Sequence, residues 1–367
     1  MMAHSLDRLT IRGFKSIRTL EEFRLNNLNV FIGGNGAGKS NLVEFFRLLR
    51  TVIDGNLNDY IRSGGGISHF LFNGLKVTSQ ICCEAHFGPQ GYRFSLQPGP
   101  SETPLLSAEA RFYQGENSRW CELGDSPDGK SLLVKEGKSD SSNNRYSQAI
   151  YDAISSWQIY HFHDTSPTAA LRQYEIIQDN KSLRFDASNI APYLLRLKQD
   201  NPDAYREILN SVRLVIPFLK DFLLEATEFG AKQKVNLSWQ QEGSDYPMEP
   251  YHFSDGSIRF ICLATALLQP NPPSTIIIDE PELGLHHSAI PILAELIRDA
   301  AKRTQLILAT QSPALIDKFG IEDVVVVNRK DGASSFERLQ EKEFSAWLEN
   351  YSVGELWSLN VISGGPA

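Results

Sequence analysis

The segment Gly33-Gly34-Asn35-Gly36-Ala37-Gly38-Lys39-Ser40 constrains this chain more than any other. It fits the spacing G-x-x-x-x-G-K-[ST] between an apolar run, Leu28 to Ile32, and a stretch from Asn41 to Ile53. In that stretch Leu42, Phe45, Phe46, Leu49 and Ile53 recur at helical spacing. A strand, a glycine-rich turn and a helix in this order let the backbone N–H groups of the turn converge on phosphate oxygens, and the helix N-terminus adds partial positive charge. Gly33, Asn35, Gly36, Ala37, Gly38 and Asn41 then line a cradle. Lys39 reaches the β- and γ-phosphates and Ser40 offers a hydroxyl to Mg²⁺. ATP with Mg²⁺ is the ligand this pattern predicts.

Three further segments fit such a cradle. Thr275 to Ile278 is an apolar run ending in Asp279 and Glu280, which would complete the Mg²⁺ site and act as general base on the attacking water, respectively. Leu306 to Thr310 is a second apolar run, ending in Gln311. The Gln311 amide can hydrogen-bond a phosphate oxygen or the attacking water, but it carries no charge. Phe253-Ser254-Asp255-Gly256-Ser257 precedes an apolar helical run, Ile258 to Leu268, with Ser254 in the position of a helix cap.

The order of elements predicts an α/β fold. Short runs between Val77 and Tyr113, separated by Gly/Pro turns, read as antiparallel hairpins, and residues 122–147 as a surface hairpin or mobile loop. Helices are expected from about Asp186 and from Asn201-Pro202, and strands near Phe222 to Thr227 and Val235 to Trp239. Strands at Thr275 to Asp279, Gln305 to Thr310 and Val324 to Val327 alternate with helices, which implies a mostly parallel sheet. The division expected is an N-terminal lobe over 1–150, a helical insert over 151–220, a C-terminal lobe over 221–343 and a tail over 344–367.

Composition narrows the function classes. A 367-residue chain with 41% hydrophobic residues can fill a core, and a net charge of -8 argues against whole-surface attraction to nucleic acid. Four irregularly spaced cysteines suit a reducing compartment, and with no basic-then-apolar leader and no membrane-length apolar run the chain is expected to be cytoplasmic. Arg172, Lys181, Arg184, Arg196, Lys198, Arg206 and Arg213 are interleaved with acids and read as a solvated helical surface in preference to a nucleic-acid groove. His161, His163 and Asp164 lack a convincing further metal ligand and read as part of a strand.

These residues resemble a known family. Phe253 to Ser257 is similar to the L-S-G-G-Q signature loop of ABC-type ATPases, with Asp255 and Ser257 as departures. Together with Leu9-Thr10-Ile11-Arg12-Gly13-Phe14-Lys15-Ser16 and the motifs above, it resembles the ABC-like ATPases of the SMC, RecF and OLD groups. Tyr160 to Ser166 and Trp347 to Trp357 look more narrowly like small bacterial OLD-related ATPases. The resemblance implies an ABC-type head with an antiparallel lobe, working as a homodimer or higher oligomer in which Ser254 and Gly256 contact ATP held by a second copy. It also implies a role in DNA repair or phage defence, with DNA as an expected ligand and a separate nuclease or toxin as effector. A slow ATP-gated scaffold is the alternative. Relatives often carry histidine at the position of Gln311, which leaves the rate of hydrolysis open. Lys15 is placed near the nucleotide or at a solvated edge, and His286 at the dimer interface or at a helix start. Long coiled-coil arms are absent between Lys39 and Ser254, and about 40 residues after Val327 are too few for a Toprim nuclease domain.

Overall fold

The computed structural model describes residues 5–114, 119–138 and 144–362. β1 (Arg8–Phe14) and β2 (Ile17–Arg24) form a hairpin, and β3 (Leu28–Ile32) leads through the glycine turn into α1 (Lys39–Asp54) and α2 (Leu57–Ser63). β4 (Ile81–Phe87), β5 (Gln90–Pro98), β6 (Pro104–Tyr113) and β7 (Arg119–Ser126) extend the hairpin into an antiparallel sheet of order β2-β1-β4-β5-β6-β7. Every second residue of β4 is buried, so the sheet turns one apolar face inward.

The stretch 122–147 is divided between the surface hairpin expected and helix: β7 pairs antiparallel with β6 at the edge of the sheet, with four of its eight residues exposed, whereas the residues after it turn helical in place of a loop. α3 (Leu132–Gly137) begins at a Ser131 cap, and the buried Glu109 carboxylate accepts the amides of Leu132 (2.7 Å) and Leu133 (3.0 Å). α4 (Asn144–Ser155) follows and packs against α1. Residues 139–143, part of the same expectation, lie outside the described residues.

β8 (Gln158–Tyr160) enters a second sheet. The chain then forms β9 (Glu175–Ile176), α5 (Ile190–Asp200), α6 (Pro202–Val215), β10 (Leu219–Leu223), β11 (Thr227–Phe229), β12 (Lys232–Val235), β13 (Ser238–Gln241) and β14 (Pro247–Met248). Asn201 caps α6 by accepting the Ala204 amide, with Pro202 at the first helical position. α7 (Asp255–Leu268), β15 (Thr275–Asp279), α8 (Ala289–Ala301), β16 (Gln305–Thr310), α9 (Pro313–Ile316), β17 (Val324–Lys330), β18 (Ala333–Arg338), α10 (Glu341–Leu348) and α11 (Val353–Ser358) complete the chain.

The second sheet has the order β18-β17-β3-β16-β15-β8 and is parallel except at β18. Its central strands β3, β15 and β16 are buried almost throughout and mostly apolar, because both faces are covered. Ile277, Ile307, Val325 and Val327 join α1 and the antiparallel sheet in one core. Ile276, Ile278, Leu306, Leu308, Val324 and Val326 join α5 to α8 in the other. The carboxyl ends of β3, β15 and β16 therefore meet at one rim, the edge where open α/β sheets bind ligands.

Candidate active site

Strand register assembles the site. Asp279 pairs with Ala309, and Thr310 with Ile32, so Gly33, Glu280 and Gln311 leave adjacent strands side by side. Gly38 precedes α1 with φ 117°, and a Cβ there would lie 2.0 Å from Ser334 Oγ, so only glycine fits. Glycine also leaves the helix without a side-chain cap, and no acid stands in the first turn. The first amides of α1 thus face the loop with their partial positive charge uncompensated.

Lys39 is buried beneath the loop and donates from Nζ to the Gly33 (2.6 Å) and Gly34 (3.2 Å) carbonyls. Burial lowers its pKa, opposed by the charges of Asp279, Glu280 and Glu282. Asn35, Gly36 and Ser40 are exposed, while Ala37 is buried. Asn41 turns to Ser16 Oγ at 2.7 Å, and Ser334 hydroxyl donates to the Ala37 carbonyl at 2.5 Å. The loop is thus propped from below by β18, a contact between residues almost 300 positions apart that no local spacing announces.

Burial raises the pKa of Asp279, an effect opposed by a hydrogen bond from Ser40 and reinforced by Glu280. Its Oδ1 is sealed from solvent without a partner. A dehydrated carboxylate with an open oxygen beside a serine hydroxyl is the donor set that suits Mg²⁺, and the residues fit the group. Glu280 has φ 49°, its amide donates to Ala309 O (2.7 Å), and its Oε1 accepts Gln311 Nε2 (3.1 Å). On the other side of β15, His163 Nε2 lies 3.1 Å from the Asp279 carbonyl, and its ring is 3.9 Å from that of His161. β8 has already ended at Tyr160, so these histidines lie past the strand, and the described residues contain no cluster of three metal-ligating side chains.

Ser254 caps α7, accepting the Ser257 amide at 3.1 Å. A Cβ on Gly256 would fall 2.5 Å from the Gly284 carbonyl, which fixes this loop against the turn after Glu282. Two arginines are buried, Arg172 against the solvated surface expected of it and Arg259 without any expectation from the sequence. Arg172, one of the suggested surface cations, donates to the Thr165, Pro250 and Phe253 carbonyls and to Asp255 Oδ1 (3.0 Å), giving the signature-like loop's extra acid a counter-charge. Arg259 bonds the Phe162, His163 and Leu283 carbonyls. A lone arginine inside the apolar run Ile258 to Leu268 was the available signal.

The remaining candidates make other contacts. Lys15 forms a half-buried ion pair with Glu44 of α1. Exposed His286 accepts from the Ser288 backbone at the start of α8. Arg184, Arg196, Lys198 and Arg206 pair with Asp179, Asp200, Asp221 and Asp203.

A glycine-rich loop at a helix start, a strand-end carboxylate pair and a serine-capped helix stand together on a scaffold that has the fold of Smc heads and belongs to the AAA class. The family described as "AAA domain, putative AbiEii toxin, Type IV TA system" matches residues 28–317, and the chain belongs to it. No curated protein matches. The fold is similar to an Smc head bound to the C-terminal winged-helix domain of ScpA, with TM-score 0.56 and 15% identity over 93% of this chain and 99% of that one. It is also similar to a Pyrococcus furiosus Smc head with an extended coiled coil bound to the ScpA C-terminal domain, with TM-score 0.55 and 14% identity over 94% and 98%. No helix among the described residues is long and apolar enough to cross a membrane.

Proposed function

We propose that the chain binds and hydrolyses ATP, and that two copies enclose two ATP molecules between them. The observation that carries this reading is the convergence of Lys39, Ser40, Asp279, Glu280 and Gln311 at one rim of the parallel sheet. On binding, Lys39 exchanges its carbonyl partners for phosphate oxygens, and the loop amides take the rest of the charge. Ser40 and Asp279 would hold Mg²⁺, which would supply neutralising charge to the phosphates. Glu280 takes a proton from water as its oxygen bonds to the γ-phosphorus, the bond to the β-phosphate oxygen breaks, and ADP leaves. Gln311 holds the Glu280 carboxylate in place. Ser254, Gly256 and the amides opening α7 reach the γ-phosphate of the partner copy, so intact ATP joins the pair and hydrolysis releases it.

The cycle would control a DNA-related process, repair or phage defence, in the cytoplasm through a separately encoded nuclease or toxin. The family description, with its toxin–antitoxin reference, and the partner-bound Smc heads support an effector-linked role. A second reading, an ATP-gated scaffold with little turnover, is favoured by uncharged Gln311 beside Glu280. Steady-state turnover separates the two. An ATPase hydrolyses ATP with Mg²⁺ and loses about 10²–10⁴-fold in Glu280→Gln. Tight retention of ATP with negligible turnover in the wild type selects the scaffold.

A further inference from the structure

Glu282 is used by neither the phosphate loop nor the general-base step, yet it sits at the junction of both. Its Oε1 accepts the Thr310 hydroxyl at 2.5 Å and the Gln311 backbone N–H at 3.4 Å, and its Oε2 is buried without a partner. Thr310 is the last residue of β16 and is fully buried, so Glu282 grips the strand end from which Gln311 projects. Gln311 Nε2 in turn donates to Glu280 Oε1, and the Glu280 amide donates to Ala309. These bonds close a ring through Glu280, Ala309, Thr310, Gln311 and Glu282. Glu280 needs such bracing, because at φ 49° a residue with a Cβ is held in a sparsely populated conformation that surrounding contacts must impose.

We propose that Glu282 is a positioning residue for hydrolysis: by clamping Thr310 and the Gln311 amide, it holds the Gln311 side chain on Glu280 and sets the direction in which Glu280 meets the attacking water. The role rests on the hydrolase reading above and adds to it a residue that touches neither substrate nor water. Removing the clamp lets Glu280 and Gln311 drift while the phosphate loop, held by its own contacts to Ser16 and Ser334 after β3, keeps its grip. The signature of positioning is therefore a fall in kcat without a matching loss of nucleotide affinity.

The test measures ATP turnover with Mg²⁺ and equilibrium binding of a fluorescent ATP analogue on the full chain and on Thr310→Val, Glu282→Gln and Glu282→Ala. Thr310→Val keeps shape and removes one donor, so kcat is expected to fall about tenfold, and Glu282→Ala about 100-fold, with Kd within about twofold of wild type. Glu282→Gln keeps an acceptor oxygen for Thr310 and is expected to stay within about threefold in kcat. If Glu282→Ala does not fold, the contrast between Thr310→Val and Glu282→Gln decides. Thr310→Val at wild-type turnover, or equal losses of kcat and affinity in Thr310→Val, overturns the positioning role. A wild type that binds ATP without turning it over overturns the hydrolase reading and this role with it, a result read before any variant is compared.

Discussion

Lys39 occupies two carbonyls of its own loop, bonds that a triphosphate would replace with stronger, charge-assisted ones. Lys39→Ala is expected to weaken ATP affinity by about 10- to 100-fold, the equivalent of losing ~1.5–3 kcal/mol of charged hydrogen bonding, with little change in Tm. Isothermal titration with and without Mg²⁺ measures it. Glu282 offers a stability test of its own. Burial raises its carboxyl pKa above the ordinary value of 4.5, so the folded chain favours the protonated form. Below that ordinary value the group is protonated in both folded and unfolded chains and contributes no slope. As pH rises from there through the raised folded value, stability is lost. Glu282→Gln removes this slope, so its Tm should match wild type in acid and exceed it at neutral pH; scanning calorimetry across that window checks the sign. The places of Lys39 and Ser40 at a helix start and of Asp279 and Glu280 at a strand end were legible in the sequence because each pair belongs to one contiguous motif. Arg172, Arg259, Ser334 and the clamp on Glu282 were not, because each acts on backbone or side chains brought close only by tertiary packing.

At the level of elements, the parallel strands were legible because burial on both faces gives them apolar centres without alternation: Thr275–Asp279 and Gln305–Thr310 appear within the limits expected. Edge strands were legible only in outline. β7 exposes half of its residues, and the strand expected from Phe222 to Thr227 forms instead as β10 at Leu219–Leu223 and β11 at Thr227–Phe229, where short, partly exposed pairings leave little periodic signal. The start of α7 was legible from Ser254, but its packing was not. Ser254→Ala removes the cap and should lower stability by about 0.5–2 kcal/mol in urea unfolding. Gly256→Ala forces a Cβ against the Gly284 carbonyl, and the overpacking should cost about 1–3 kcal/mol while disturbing the turn after Glu282. Both variants are expected to bind ATP as monomers with near-wild-type affinity, since neither residue lies in the phosphate loop of its own chain.

For the whole molecule, the two cores divide the work. The antiparallel sheet and α1 support the phosphate loop, while α5 to α8 support the signature-like loop, and the parallel sheet runs between them. Arg259 and the Gly256 contact with Gly284 join the second unit to the turn that follows the carboxylate pair. A single chain therefore presents one rim bearing Lys39, Asp279 and Glu280 and one loop capped by Ser254, and in the proposed dimer each meets its complement on a second copy. Light scattering of Glu280→Gln, with and without ATP and Mg²⁺, tests this claim most directly. The account predicts a mass near the 41.2 kDa monomer without nucleotide and twice that value when both ligands are present. A mass that stays at the monomer value while ATP is bound would contradict it.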